Sequence, residues 1–167
     1  MSGFGSRDKV TTWLWCDGTA EEMARLYTGL IPDSRIGDVV RAPAENPAVG
    51  LGKVLTVGFT LGGRSFVAMN GGPGHGFSEA MSLQLSCADQ AEVDRYWDAL
   101  TADGGKAVQC GWLKDRFGVS WQIVPDRLAQ LMADSDRARA GRAMRAMMTM
   151  VKIDIAAIEA AADGDDA

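Results

Sequence analysis

The 167-residue chain carries a formal net charge of −5, and 47% of its residues are hydrophobic. This acidity argues against a general nucleic-acid binder, which neutralises phosphates with Lys and Arg, and no stretch approaches the roughly 20 apolar residues that span a bilayer. The N-terminus also lacks the apolar segment of a secretory signal, so we expect a cytoplasmic protein without nucleic-acid or membrane partners.

The first predicted elements are a strand and a helix. Aromatic and β-branched residues between Val10 and Gly18 end in an Asp-Gly turn, which is typical of a strand. In the run TAEEMARLYTGL, Thr19 and Glu22 have the spacing of a capping box and apolar residues recur at helical intervals, so it predicts a helix. Three strand-like runs follow, SRIGDVVRA, KVLTVGFTLGG and RSFVAMNGG, and a Gly-Gly hairpin turn joins the last two.

The same order of elements returns in the second half. AMSLQLS predicts a strand, and Asp89, with Glu92 three residues on, predicts the start of a second helix. KAVQCGWLKD and GVSWQIVP predict shorter strands on either side of the turn DRFG. An offset of 70 residues aligns Trp13 with Leu83 and also Glu22 with Glu92. The chain is therefore predicted to repeat one structural unit in tandem.

The domain organisation follows from these patterns. The glycine-rich run NGGPGHG predicts a linker between two modules, and the composition beyond Pro125 is helical. The predicted segments are an extended or disordered N-terminus at 1–9, module one at about 10–71, module two at about 79–125, a helical extension at 126–162 and a disordered tail at 163–167. Within the extension, Met144, Met147, Met148 and Val151 form an apolar stripe flanked by arginines. We expect this stripe to pack on the protein itself or on a second subunit.

Two βαβββ modules in tandem resemble the vicinal oxygen chelate superfamily, which includes glyoxalases, bleomycin-resistance proteins and extradiol dioxygenases. Within it the chain is similar to the PhnB-like branch, often labelled 3-demethylubiquinone-9 3-methyltransferase. The resemblance is carried by LWCDGTAEEM, PDSRI, FVAMNGGPGHGFSEAMSLQLSC, EVDRYWDAL, CGWLKDRFGVSWQIVP and MMTMVKIDIAAIEAA. It implies an α+β fold in which the two modules form an open-barrel cleft, followed by C-terminal helices.

The resemblance also implies where a metal would bind, because metal-dependent members take ligands from the first and last strands of each module. At those positions this chain places Val10, Ala80 and Gln122, with Asn70 at the end of module one. Alkyl groups and neutral amides do not hold a catalytic divalent cation tightly. The single histidine, His75, lies in the linker, where we expect a solvated side chain. We therefore predict no cofactor, a divalent metal being disfavoured.

Strand alternation predicts which side chains line the cleft. We expect the larger apolar faces, including Trp13 and Trp15, to lie under the helices and the smaller and polar side chains to face the cleft. The predicted ligand-binding residues are Thr12, Leu14, Asn70, Ser82, Gln84, Trp112, Ser120 and Gln122. Two alternatives stay open: the polar residues face water on a shallow sheet, and Trp112 is a packing residue.

The leading functional hypothesis is a homodimeric PhnB-like protein of undefined activity that binds a small molecule in a cleft lacking the usual metal ligands. One alternative is a metal-dependent lyase, isomerase or transferase of glyoxalase type. Another is an interaction module that acts through the C-terminal helix. A methyltransferase is disfavoured, because the sequence has no glycine-rich strand-to-helix turn of the kind that doubly wound nucleotide-binding sheets use. The three cysteines, having no C-x-x-C pair, are expected to be buried apolar residues.

Overall fold

The computed structural model describes residues 9–164. The predictions for the first eight residues and for 165–167 lie outside the described residues. The chain divides into two compact units, the first ending at Gly76 and the second beginning at Phe77. Within the described part, no helix is both long enough and apolar enough to cross a membrane.

The first unit packs one helix on a four-stranded sheet. Its elements are β1 (Thr12–Cys16), α1 (Ala20–Leu30), β2 (Arg35–Arg41), β3 (Val54–Leu61) and β4 (Arg64–Asn70). The strand order is β1-β4-β3-β2, with β1 parallel to β4 and the other pairs antiparallel. Gly62 and Gly63 both adopt positive φ, at 51° and 80°, as the predicted two-residue hairpin requires. Tyr27 of α1 lies against Phe59 of β3, with 6.3 Å between ring centroids.

The second unit repeats this plan and adds the C-terminal helices. Its elements are β5 (Leu83–Cys87), α2 (Gln90–Thr101), β6 (Lys106–Ala107), β7 (Trp112–Lys114), β8 (Ser120–Pro125), α3 (Asp126–Met132), α4 (Arg137–Thr149) and α5 (Ile155–Asp163). The strand order is β5-β8-β7-β6, with β5 parallel to β8. The run KAVQCGWLKD is thus two strands rather than one. A turn separates them, in which Cys110 and Gly111 adopt φ of 60° and 79°.

The three C-terminal helices form a core of their own. Its buried members are Leu128, Leu131, Ala143, Ile153, Ile158 and Ala162. Of the predicted apolar stripe, Met147 packs against this core, while Met144 and Met148 are exposed. Arg142 donates to the carbonyl of Ala162, and Arg139 pairs with Asp163. These arginines therefore stabilise the C-terminal end of α5, where unpaired carbonyls and the helix dipole favour cations. α5 extends one residue into the segment predicted as a tail.

The predicted orientation of β1 is wrong. Cys16 faces α1, with its Sγ 3.8 Å from Met23 Sδ, and Leu14, two residues earlier on the same face, is fully buried. Trp13 and Trp15 therefore lie on the opposite face, where Trp13 is 45% exposed. The helix covers the smaller side chains of this strand rather than the tryptophans.

The inversion has a physical cause in the length of a turn. The N-cap residues Thr19 and Asp89 are 70 residues apart, but the helix-facing Cys16 and Cys87 are 71 apart. The turn after β1 therefore contains one residue more than the turn after β5. Because side chains alternate along a strand, a one-residue slip moves every side chain to the other face. The 70-residue offset holds for the helices and fails for the strands that precede them.

The two helix starts are built differently as well. At α2 the predicted capping box forms, since Asp89 accepts from the Glu92 amide and Glu92 accepts from the Ala88 amide. At α1 the side chain of Thr19 makes no capping hydrogen bond. A side chain from β4 takes its place, with Asn70 Oδ1 accepting from the Ala20 amide at 3.0 Å.

Candidate functional site

The candidate site is the face of the second sheet that points away from α2. Cys87, Trp121 and Ile123 are each at most 1% exposed and belong to the face that α2 covers. Cross-strand pairing places Gln84 and Trp112 beside Gln122 on the other face. We call this other face the polar face; it comprises Ser82, Gln84, Trp112, Lys114, Ser120 and Gln122.

The predicted sorting of side chains is thus confirmed in the second sheet. Gln122 Nε2 donates to Ser82 Oγ at 2.8 Å, and Gln84 Nε2 lies 3.4 Å from Ser86 Oγ. Ser120 is only 2% exposed, and its Oγ has no hydrogen-bond partner among residues 9–164. A buried hydroxyl without a partner is uncommon, because its desolvation is not offset. That these side chains bind a ligand stays a prediction.

Charge enters the polar face through Lys114. Its Nζ lies 2.6 Å from Oε1 of Glu79, which belongs to the segment before β5. The hydrogen bond and the positive charge of Lys114 lower the pKa of the Glu79 carboxyl, so this carboxyl is ionised at neutral pH. Lys114 is the cross-strand partner of Ser120. Spacing along the sequence gave no signal for Glu79, because a loop residue has no periodicity to follow.

The three predicted ligand-binding residues of the first unit do not lie on the open face of their sheet. Leu14 is in the core beneath α1, and strand alternation places Thr12 on the same side. Asn70 is 8% exposed, and both the oxygen and the nitrogen of its side-chain amide form hydrogen bonds. Its Oδ1 accepts from the Ala20 amide, and its Nδ2 donates to the Val54 carbonyl at 3.0 Å. Placing these residues on the open face was therefore wrong, since Leu14 belongs to the core and Asn70 links α1 to the sheet.

The side chains at the predicted metal positions do not suit a divalent cation. Val10 is 86% exposed and precedes β1, while Ala80 precedes β5. Gln122 supplies a neutral amide, whose Nε2 donates to Ser82 Oγ. Within residues 9–164, no three His, Cys, Asp or Glu side chains are grouped so that they could hold a metal ion. At these positions the polar donors are the neutral amides of Asn70 and Gln122, which bind such ions weakly.

His75 has a packing partner. Its ring meets Trp15 edge to face, with 4.8 Å between centroids, while the side chain is exposed in the linker, as expected. Trp15 Nε1 also donates to the Gly72 carbonyl at 2.7 Å. A Cβ at Gly71 would lie 2.2 Å from the Trp15 ring, so this position needs a glycine. Trp15, on the face of β1 that points away from α1, thus holds the linker against this strand.

The cysteines divide into two shielded thiols and one accessible thiol. Cys16 and Cys87 are buried as predicted, whereas Cys110 is partly exposed. Burial, together with the nearby Glu92 carboxylate, raises the pKa of Cys87 to about 12. The Cys87 thiol is therefore protonated at neutral pH and is a poor nucleophile.

A thiol titration checks this assignment. At pH 8 we expect a chromogenic disulfide reagent to modify one thiol per native chain, Cys110, and all three thiols in guanidinium chloride. The Cys110→Ser variant should then show almost no fast reaction in the native state. Rapid modification of Cys87 in that variant, identified by mass spectrometry, would contradict the shielding.

Comparison with known proteins gives one family and a set of similar structures. A family model described as 3-demethylubiquinone-9 3-methyltransferase matches residues 8–124. A PhnB protein from Bacillus cereus is similar with a TM-score of 0.64 and 32% sequence identity, over 71% of this chain and 99% of that protein. Protein PA1353 from Pseudomonas aeruginosa reaches a TM-score of 0.57 at 20% identity, over 70% of this chain and 98% of its own. No curated protein matched.

The fosfomycin resistance protein FosX from Mesorhizobium loti has a TM-score of 0.52 at 16% identity, over 78% of this chain and the whole of that protein. At this identity the likeness concerns the fold alone. The expected α+β fold, with two sheet-and-helix modules and C-terminal helices, is confirmed.

Proposed function

This chain belongs to the family described as 3-demethylubiquinone-9 3-methyltransferase, within the PhnB-like branch of the vicinal oxygen chelate superfamily, and from that premise we propose that it binds a small molecule on the polar face of its second sheet without using a metal ion. The observation that carries the proposal is the composition of that face. Hydroxyl and amide groups from β5 and β8 lie beside an aromatic ring from β7.

These groups have the chemistry of a binding surface for a small polar ligand. Gln122 retains hydrogen-bonding capacity beyond its one bond to Ser82, because a glutamine amide has two donors and an acceptor. Trp112 offers a flat apolar surface next to that amide. Ligand sites commonly combine such apolar walls with a few placed polar groups.

The proposal contains no metal step and no methyl transfer. The donor set does not suit a divalent cation, as described above. Methyl transfer, which the family description names, draws no support from the strand-to-helix turns. The turn before α1 has one glycine, Gly18, and the turn before α2 has none, whereas doubly wound sheets bind their cofactors over glycine-rich turns.

The proposal predicts the behaviour of Gln122→Ala in a ligand screen. Compounds that bind the wild-type chain should stabilise it by about 1.4 kcal/mol at ten times Kd, a rise in Tm of about 3–6 °C for this length. We expect the rise to disappear in Gln122→Ala and to be unchanged by a chelator. Thermal shift measurements on a library of small metabolites provide the readout.

Gln130→Ala is the matched control, because Gln130 is exposed on α3, away from the polar face. It should give the wild-type shifts. Shifts that survive in Gln122→Ala, or that appear only after a divalent metal is added, would overturn the proposed function.

A further inference from the structure

Two residues on the polar face are placed to receive a negative charge. Lys114 and Ser120 are directly opposite each other on β7 and β8, so their side chains point to the same side of the sheet. Lys114 supplies an ammonium group, and Ser120 supplies a hydroxyl that can donate. A cation next to a hydroxyl donor is an arrangement that binds carboxylates through charge-assisted hydrogen bonds.

The Ser120 hydroxyl is the independent sign of a ligand. Its Oγ is buried and has no partner within residues 9–164, and it lies on the face that carries Lys114 rather than under α2. An unpaired buried hydroxyl costs about 1–3 kcal/mol. An acceptor atom that arrived at this point would remove that cost. The hydroxyl therefore favours a ligand that brings an oxygen acceptor to Lys114.

The position next to Lys114 is held by a carboxylate of the chain itself. Glu79 contacts Lys114 at 2.6 Å, yet the Glu79 side chain is 68% exposed. Exposed ion pairs contribute little to stability, so an external carboxylate can replace Glu79 at small cost. Glu79 thus shows which chemical group this position accepts.

We propose that Lys114 and Ser120 anchor the carboxylate of a small-molecule ligand, and that Glu79 occupies the anchor when no ligand is bound. The inference rests on the proposed function and specifies its ligand class. The body of the ligand lies toward Gln122 and Trp112, whose pairing extends the same face. Glu79 then acts as a competitor that sets the affinity.

The test uses benzoate as the probe and benzamide as its uncharged counterpart. With isotope-labelled protein, the amide signals of Lys114 and Ser120 should shift as benzoate is added. Removing the competing charge in Glu79→Gln should tighten benzoate binding by about fivefold, the factor that the loss of an exposed ion pair allows. Lys114→Met and Ser120→Ala should each weaken it by about tenfold, as expected for loss of a charge-assisted hydrogen bond. Lys114→Arg should retain most of the affinity.

Glu21→Gln is the matched control, since Glu21 also forms an exposed ion pair, with Arg25 of the first unit. It removes the same charge and should leave benzoate affinity unchanged. Equal affinity in wild type and Glu79→Gln, equal binding of benzamide and benzoate, or no benzoate shift at Ser120 at tens of millimolar would each overturn the anchor. Loss of the library-induced thermal shifts in Gln122→Ala would still support the proposed function in those cases.

Discussion

Asp115→Ala lowers the free energy of unfolding by about 3–5 kcal/mol, because it leaves several hydrogen-bond donors unpaired in a buried site, at about 1–3 kcal/mol each. Asp115 is 3% exposed. Its Oδ1 accepts from the amides of Phe117 and Val119 at 2.9 and 3.0 Å, and its Oδ2 accepts from Trp121 Nε1 at 2.9 Å. One carboxylate therefore closes the turn between β7 and β8 and ties it to the core.

Urea unfolding followed by tryptophan fluorescence measures the loss, with the m-value expected to stay constant. The control is Asp136→Ala, which removes an exposed helix cap on α4 and should cost about 1 kcal/mol. Asp115→Ala combined with Trp121→Phe should cost at least about 1 kcal/mol less than the sum of the single changes, because the second change removes one stranded donor. A loss no larger than that of Asp136→Ala would show that the turn does not depend on this carboxylate.

The alternation of side chains explains why the second sheet could be predicted from sequence. In β5 and β8 the apolar side chains, such as Leu85 and Trp121, alternate cleanly with Ser and Gln, so only one orientation buries the apolar set. The turn carboxylate then fixes the register of β7 against β8. The strand pattern and the contacts of the turn agree, and the polar face follows from alternation alone.

The first sheet could not be predicted in the same way. In β1 both faces are apolar, with Trp13 and Trp15 on one side and Leu14 and Cys16 on the other, so alternation gives no preference. The choice depends on the turn before α1, which brings Cys16 Sγ within 3.8 Å of Met23 Sδ on the helix. The length of that turn lies outside the strand, so the strand pattern carries no sign of it.

Contacts between distant residues set the remaining limits. Asn70 binds the start of α1, 50 residues earlier in the chain. Glu79, which precedes β5, contacts Lys114 at the end of β7. Neither contact leaves a trace in periodicity, motif spacing or composition. Asn70 therefore resembles a free polar group in the sequence, although it is a buried structural one in the fold.

Asn70→Ala should accordingly affect stability and leave ligand binding intact. It removes the acceptor for the Ala20 amide and the donor to the Val54 carbonyl, both in a buried site. We expect a loss of about 2–4 kcal/mol, from two stranded backbone groups at about 1–3 kcal/mol each, partly relieved by relaxation. Asn70→Asp should lose less, because its carboxylate still accepts at the helix N-terminus, where the dipole favours negative charge.

Asn46→Ala provides the matched control for this change. Asn46 also accepts from two backbone amides, those of Ala48 and Val49, but in an exposed turn where water can replace it, so we expect a loss of at most about 1 kcal/mol. Urea unfolding measures stability, and the rise in Tm caused by the library compounds measures binding. If Asn70 is structural, Asn70→Ala reduces stability and keeps the ligand-induced shifts in Tm. We expect the reverse for Gln122→Ala. Normal stability with lost shifts would return Asn70 to the binding site and would contradict its structural role.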